Sequence, residues 1–439
     1  MIAILWDASP LWGHLVLNTI IQTGLPYEII TAKECQDDIL RKKAFKILIV
    51  PGGSGRQKAN LLTPKGLDAV RNFVAEGGAY LDFCGGAGLA LTTQKMEDGL
   101  ALCPWGRDFY NGRTEHRISG HIYCETFDDP LIPAGMHKAS LPVWWPGRFQ
   151  EPGDEEKTLD PEKANVRILA RYREMGEDFY SHDLPINTLP QNALEDWEHV
   201  YGIRLKPKLL EGQPAIIAGS YGKGQYILSY SHLETADSKD ANAILAHMLK
   251  SLLAGCDTSA LTATSCAFEV RGAGLCKNIF NMNSFTPTWI NTDFQTTWPL
   301  LRELNGQMQK VFQLGEDLHL LFKRADWLYG WNTSVHGSQL NALRLALARS
   351  LVLPAHEKRE EFVLKQGLHF AENMLLFIHG TESWLLARRL CDSLAENERI
   401  SPEIMESQRQ ELFGMLMYGG GRCGELIPWL DEFLLLGKQ

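Results

Sequence analysis

The segment Gly77-Gly78-Ala79-Tyr80-Leu81-Asp82-Phe83-Cys84-Gly85-Gly86-Ala87-Gly88 constrains the chain more than any other. It reads as a short buried strand that runs into a cysteine followed at once by small residues. A sharp strand-to-helix turn holds a nucleophile exposed at the end of a sheet only if its neighbours let the backbone fold tightly. A cysteine there also opens the next helix, where unpaired N–H groups and the helix dipole favour thiolate. The opposing reading is a buried structural cysteine on a turn.

The residues around this segment alternate between strand and helix patterns. Ile2 to Trp6, Tyr27 to Thr31 and Phe45 to Val50 read as strands, the last ending at Pro51-Gly52-Gly53. Leu15 to Gln22 has helical spacing, and Thr63-Pro64 supplies a cap and a first-turn proline for a helix that Gly77-Gly78 stops. This alternation predicts an α/β fold, a flavodoxin-like, mostly parallel sheet with helices on both faces. Ligands of such sheets bind at the carboxyl ends of the strands, where Pro51-Gly52-Gly53 and Cys84 both fall.

From about Cys103 to Val200 the pattern loosens into antiparallel strands and long loops, with Gly153 to Lys157 read as a solvated loop. Ala215 to Ala218 and Gln225 to Tyr230 form a hairpin whose second strand delivers Ser231-His232-Leu233-Glu234, and a helix from about Lys239 to Leu253 closes the domain. Beyond Gly255 the spacing turns helical through to the carboxyl terminus. The expected division is therefore residues 1–255 as one α/β domain and 256–439 as an all-helical domain. The second domain is a candidate surface for a protein partner.

Composition excludes several function classes. A net charge of −10 argues against a nucleic-acid binder working through bulk electrostatics. The amino terminus meets Asp7 too early for a signal peptide, and no apolar run reaches the ~18 residues of a membrane span. Nine irregularly spaced cysteines without a secretion signal point to reduced thiols in the cytoplasm. The histidines His116, His121, His137 and His182 lack metal-ligand spacing, so no metal and no other cofactor is expected.

His232 and Glu234 lie two apart, so in an extended segment they project to one side. That arrangement supplies a general base and its orienting carboxylate, with Cys84 as the nucleophile. Backbone N–H groups of Gly53 and Gly85 are candidates for an oxyanion hole. Gly52, Asp82 and Trp145 are the candidates for contact with a small-molecule substrate or ligand.

Taken together, Val50-Pro51-Gly52-Gly53, the Gly77–Gly86 stretch, Gly222-Lys223-Gly224 and His232-Leu233-Glu234 resemble class I glutamine amidotransferase-like domains. Within that superfamily the chain is most similar to the amidotransferase-like domain of biotin-protein ligases, over roughly residues 1 to 255. The resemblance implies a Cys-His-Glu triad on Cys84, His232 and Glu234, acting on an amide or related carbonyl through an acyl-cysteine. It also resembles the family in the aromatic-Gly stretch Trp144-Trp145-Pro146-Gly147. Active glutaminases of the family carry glycine two residues before the cysteine. This chain has Asp82, which sets a second carboxylate against a thiolate. Two readings stay open: a cysteine-dependent amidase, and a non-catalytic binding module that keeps the fold.

Overall fold

The structure is a computed structural model. It describes residues 1–92, 99–108, 118–181, 183–190, 192–202, 210–254, 298–325, 327–331, 334–414 and 420–437. The chain divides into two compact units, Met1–Ala273 and Gly274–Gln439. The connector after Gly255, His116, His182 and part of the Tyr418–Gly424 loop lie outside the described residues.

The first unit begins with β1 (Ile2–Leu5), α1 (Pro10–Thr23), β2 (Tyr27–Ile30), α2 (Ala32–Gln36), α3 (Ile39–Lys42), β3 (Ile47–Val50), α4 (Gly55–Ala75), β4 (Ala79–Phe83) and α5 (Gly85–Ala90). Then come β5 (Gly106–Asp108), β6 (Ile118–Thr126), β7 (Lys138–Trp144), β8 (Arg148–Gln150), α6 (Asp154–Leu159) and α7 (Pro161–Ala164). The unit finishes with β9 (Arg167–Met175), β10 (Tyr180–Ser181), β11 (Leu184–Pro185), α8 (Ala193–Tyr201), β12 (Pro214–Tyr221), β13 (Gly224–Ser229) and α9 (Lys239–Leu253).

Half of the main sheet is parallel, in the order β2-β1-β3-β4-β13. That is the flavodoxin-like strand order, built as the expected α/β fold. β1 and β3 are buried along their whole length, as a sheet covered on both faces requires. The other half is antiparallel and joins the same sheet through β12, which pairs with β13 on one side and β9 on the other. β9 pairs with β6, and β6 with both β7 and β10. A further antiparallel bridge joins Val143 at the end of β7 to Ser231 just past β13.

Two local expectations change. The helix ahead of Gly77 starts at Gly55, capped by Ser54, and is interrupted at Thr63 (φ 58°, ψ 169°) before it resumes at Pro64. Proline lacks an amide donor and forces its predecessor out of the helical region, so Pro64 reopens a helix that has already begun. The acidic run after Gly153 is the short helix α6, with no buried residue. Three acidic residues in its first turn suit the positive end of the helix dipole.

The second unit contains α10 (Pro299–Asp317), β14 (Leu321–Ala325), β15 (Leu328–Trp331), α11 (Ser334–Leu351), α12 (Glu357–Ser393), α13 (Pro402–Phe413) and α14 (Gly421–Leu435). It is helical as expected, with one antiparallel hairpin, β14–β15, set into it. Its core gathers Leu304, Met308, Phe312, Leu343, Phe370, Phe377, Trp384 and Phe433. No helix among the described residues is long and apolar enough to cross a membrane.

Candidate functional site

β4 lies between β3 and β13, all running the same way, so the segments that follow them emerge at one edge of the sheet. Cys84 follows β4 directly, and its amide donates to the Ser229 carbonyl at 2.7 Å. Its backbone, at φ 50° and ψ −100°, lies outside the regions that a β-carbon tolerates well. Such a conformation costs about 1–3 kcal/mol and persists only where the surroundings impose it. The surroundings here are tight. A β-carbon on Gly85 would lie 1.7 Å from the Gly53 carbonyl oxygen, so only glycine lets the two loops meet. The cysteine elbow read from the sequence is present.

The imidazole of His232 bonds Glu234 through Nδ1 and Oε1 at 2.8 Å, with both side chains buried. The segment is tied down on each side. The His232 amide donates to the Pro142 carbonyl at 2.8 Å, and Thr19 Oγ1 donates to the Glu234 carbonyl at 3.1 Å. Burial alone pulls the imidazole pKa down. The Glu234 carboxylate and the Cys84 sulfur outweigh it and push the pKa up to about 10. At neutral pH the ring is therefore a cation that donates Nδ1–H to Glu234. Cys84 acts on this ring, yet Nε2 has no partner in ordinary hydrogen-bond geometry. The thiol instead donates to the carbonyls of Trp144 at 3.8 Å and Trp145 at 3.9 Å.

Trp145 thus reaches the site through its backbone, and its positive φ of 51° marks a second constrained residue beside the thiol. Gly53 is half-buried and packs against both Ala8 and Gly85. Gly52 differs from the expected substrate contact. It is buried, and a β-carbon there would lie 2.8 Å from Trp12 and 3.1 Å from His232. Its role is to make room for those two rings.

Asp82 is also corrected. The side chain is fully buried, so it does not face a substrate. Oδ1 accepts from the Ser229 amide at 3.2 Å, while Oδ2 has no hydrogen-bond partner. Burial drives its pKa well above the usual carboxylate value; the Ser229 amide opposes this and the charge on Cys84 adds to it. Burial thus favours the neutral form of Asp82, which weakens the like-charge repulsion expected with a thiolate.

Two site residues escaped the sequence reading. Trp12, in the first turn of α1, stacks on His232 with ring centroids 4.0 Å apart and an interplanar angle of 24°. Lys58, on the buried face of α4 with Ala59 and Leu62, is fully buried. Its ammonium donates to the Asp7 carbonyl at 2.9 Å, the Ala8 carbonyl at 3.0 Å and Ser9 Oγ. Burial lowers its pKa to about 7, against the opposing charge of Asp7. The Ala8 carbonyl it holds is the one that packs against Gly53. Lysine on an inward helical face gave no signal in the sequence beyond its position among apolar neighbours. Among the described residues no group of three or more His, Cys, Asp or Glu is placed to hold a metal.

No protein-family model matches the chain, and the comparison with curated proteins returns no match. Solved structures do show similarity. A GMP synthase-like protein from Thermoplasma acidophilum is 10% identical, with 58% of this chain and 95% of that chain covered, at a TM-score of 0.34. A ThuA-like protein from Bacteroides uniformis is 13% identical over 58% of this chain and 91% of that one, at a TM-score of 0.35. A β-galactosidase from Bacillus circulans is 12% identical over 58% of this chain, at a TM-score of 0.31. That last match spans 30% of the galactosidase chain.

Proposed function

We propose that residues 1–255 form a class I glutamine amidotransferase-like domain, most similar to that of biotin-protein ligases, which cleaves an amide or related carbonyl through an acyl-cysteine. The observation that carries this reading is the Cys84 elbow at φ 50° beside the buried His232–Glu234 pair at 2.8 Å. A strained cysteine, an imidazole and a carboxylate at one sheet edge form the nucleophile, base and orienting group of acyl transfer.

In this mechanism Cys84 reacts as the thiolate paired with the His232 cation: its sulfur forms a bond to the carbonyl carbon, and the carbonyl π electrons move onto oxygen. Backbone N–H groups of Gly53 and Gly85 hold that oxyanion. As it collapses, the carbon–nitrogen bond breaks and the His232 proton passes to the departing nitrogen, leaving a thioester. Water then attacks the thioester as His232 takes one of its protons, the carbon–sulfur bond breaks, and the acid leaves with the Cys84 thiolate and the His232 cation restored. Glu234 holds the ring in place throughout and stabilises its cation. Reduced cysteines fit a cytoplasmic setting, and the described cysteines Cys84, Cys103, Cys124, Cys391 and Cys423 are free thiols.

A second reading, a small-molecule or protein binding module without catalysis, draws support from one feature. The thiol engages the Trp144 and Trp145 carbonyls, and Nε2 of His232 lacks a well-formed bond to it. Reactive geometry often tightens only when substrate binds, so this feature alone does not displace the first reading.

The deciding experiment exposes the full chain to a diazoketone analogue of glutamine and to iodoacetamide, and maps the adducts by mass spectrometry. Amide chemistry requires rapid labelling at Cys84, slowed by His232→Ala and abolished by Cys84→Ser. Labelling of Cys84 no faster than that of an ordinary exposed cysteine sinks the enzymatic reading and leaves the binding module.

A further inference from the structure

The helix α12 is apolar on two sides. One side carries Phe362, Phe370, Met374, Phe377, Ile378, Trp384 and Leu385 into the core of the second unit. The other side exposes Leu364 at 84%, Leu368 at 78%, Leu386 at 52% and Leu390 at 50%. A surface helix ordinarily turns polar residues outward, so four exposed leucines on one face mark a surface that is covered in use.

The order of residues along that face identifies what covers it. Following the face gives Leu364, Leu368, Glu372, Leu375, His379, Glu382, Leu386 and Leu390, at steps of four, four, three, four, three, four and four residues. Both the steps and, outside the central Leu375 and His379, the residue types read the same in either direction about Phe377. At 3.6 residues per turn these positions hold one stripe, about 39 Å from end to end. An arbitrary partner gives no reason for such symmetry. A two-fold axis does, because an isologous contact places each residue opposite its mirror position on an identical chain.

We propose that α12 pairs antiparallel with α12 of a second copy of this chain, with the two-fold axis crossing the stripe midway between Leu375 and His379, at the height of the buried Phe377. Leu364 then meets the second copy's Leu390, and Leu368 meets its Leu386. Leu375 lies against His379 of the other chain at the centre. Glu372 meets the second copy's Glu382, the one like-charge contact in the seam, and symmetry makes it occur twice. Apolar ends hold the pair together while the glutamates limit its strength, as charged seam positions set partner and orientation in coiled coils.

Sedimentation velocity and light scattering on the full chain, over a range of concentrations, test this pairing. The wild-type chain forms a dimer, and Leu368→Glu or Leu386→Glu returns it to monomer. Both side chains are exposed, so an unchanged circular dichroism spectrum shows that the fold survives. Glu372→Lys faces Glu382 across the axis and tightens the dimer about tenfold, two unlike pairs replacing two like ones. In a parallel pair, position 372 faces itself and the same substitution brings no gain. A chain that stays monomeric at every concentration overturns the proposal. So does a dimer indifferent to Leu368→Glu, or one that Glu372→Lys fails to strengthen. None of these readouts depends on the chemistry at Cys84.

Discussion

Trp12 lies nearly parallel on the face of His232, its ring centroid 4.0 Å from that of the imidazole. The ring it covers is a buried cation, so the contact combines apolar cover with cation–π attraction. It also explains why position 52 is glycine, since any side chain there would enter the space the Trp12 ring fills.

Trp12→Phe keeps a flat ring over His232 and is expected to retain the fold. Trp12→Ala leaves a cavity beside the imidazole and is expected to cost about 3–5 kcal/mol of stability, read as a lower urea midpoint. Equal midpoints for the two variants would show that the stack is incidental.

Glu234→Gln removes the carboxylate that raises His232. The His232 pKa, read from its imidazole NMR signal, is expected to fall well below 10. The wild-type shift has a consequence for stability. A histidine raised from its ordinary value of 6.5 to about 10 stabilises the fold fully below pH 6.5, and this contribution is lost as pH rises through 10.

Lys58 acts in the opposite sense over nearly the same range. Its pKa drops from 10.5 to about 7, so the unfolded chain binds more protons in that window and stability gains as pH rises from 7 to 10.5. The two contributions offset each other, and the wild-type urea midpoint should change little from pH 7 to 10 on their account. Lys58→Met should uncover the decline due to His232, and Glu234→Gln the rise due to Lys58. Lys58→Met also strands the Asp7 and Ala8 carbonyls and should lower stability by about 1–3 kcal/mol for each group left unsatisfied. If both variants keep the wild-type slope, these protonation assignments are wrong.

Asp82→Asn replaces a carboxyl group whose neutral form burial favours with a neutral amide of the same shape. With its folded pKa raised above the ordinary 3.8, Asp82 favours the fold fully below pH 3.8 and loses that contribution as pH climbs. Asp82→Asn removes this slope, so the variant should gain on the wild type as pH rises above 3.8. Denaturant midpoints that run parallel for the two proteins would refute a buried neutral acid.

Much of this site is legible in the sequence because steric rules are local. Gly85 and Gly86 next to Cys84 forecast a turn too tight for side chains, and the two-residue step from His232 to Glu234 forecasts their shared direction. Trp12 and Lys58 are not legible. Each acts on a residue distant in the chain, His232 for Trp12 and the Asp7–Ser9 loop for Lys58, and no periodicity records such contacts. The charge state of Asp82 is hidden for a related reason: a short buried strand is legible, but which way its one carboxyl group ionises depends on the neighbours that the fold brings against it. In the second unit, Leu321–Ala325 continues an apolar pattern that follows a helix, and periodicity over so short a run does not separate strand from helix.

The bridge between Val143 and Ser231 gives the antiparallel half of the sheet an unusual circuit. From β7 the pairings run to β6, β9, β12 and β13, and the bridge returns them to β7. The strands thus form a closed hydrogen-bonded loop fastened at one clasp, and the His232 amide bonded to Pro142 belongs to the same fastening. The same clasp therefore ties the strand end that leads into His232 to the strand end that leads into Trp144 and Trp145, whose carbonyls receive the resting thiol.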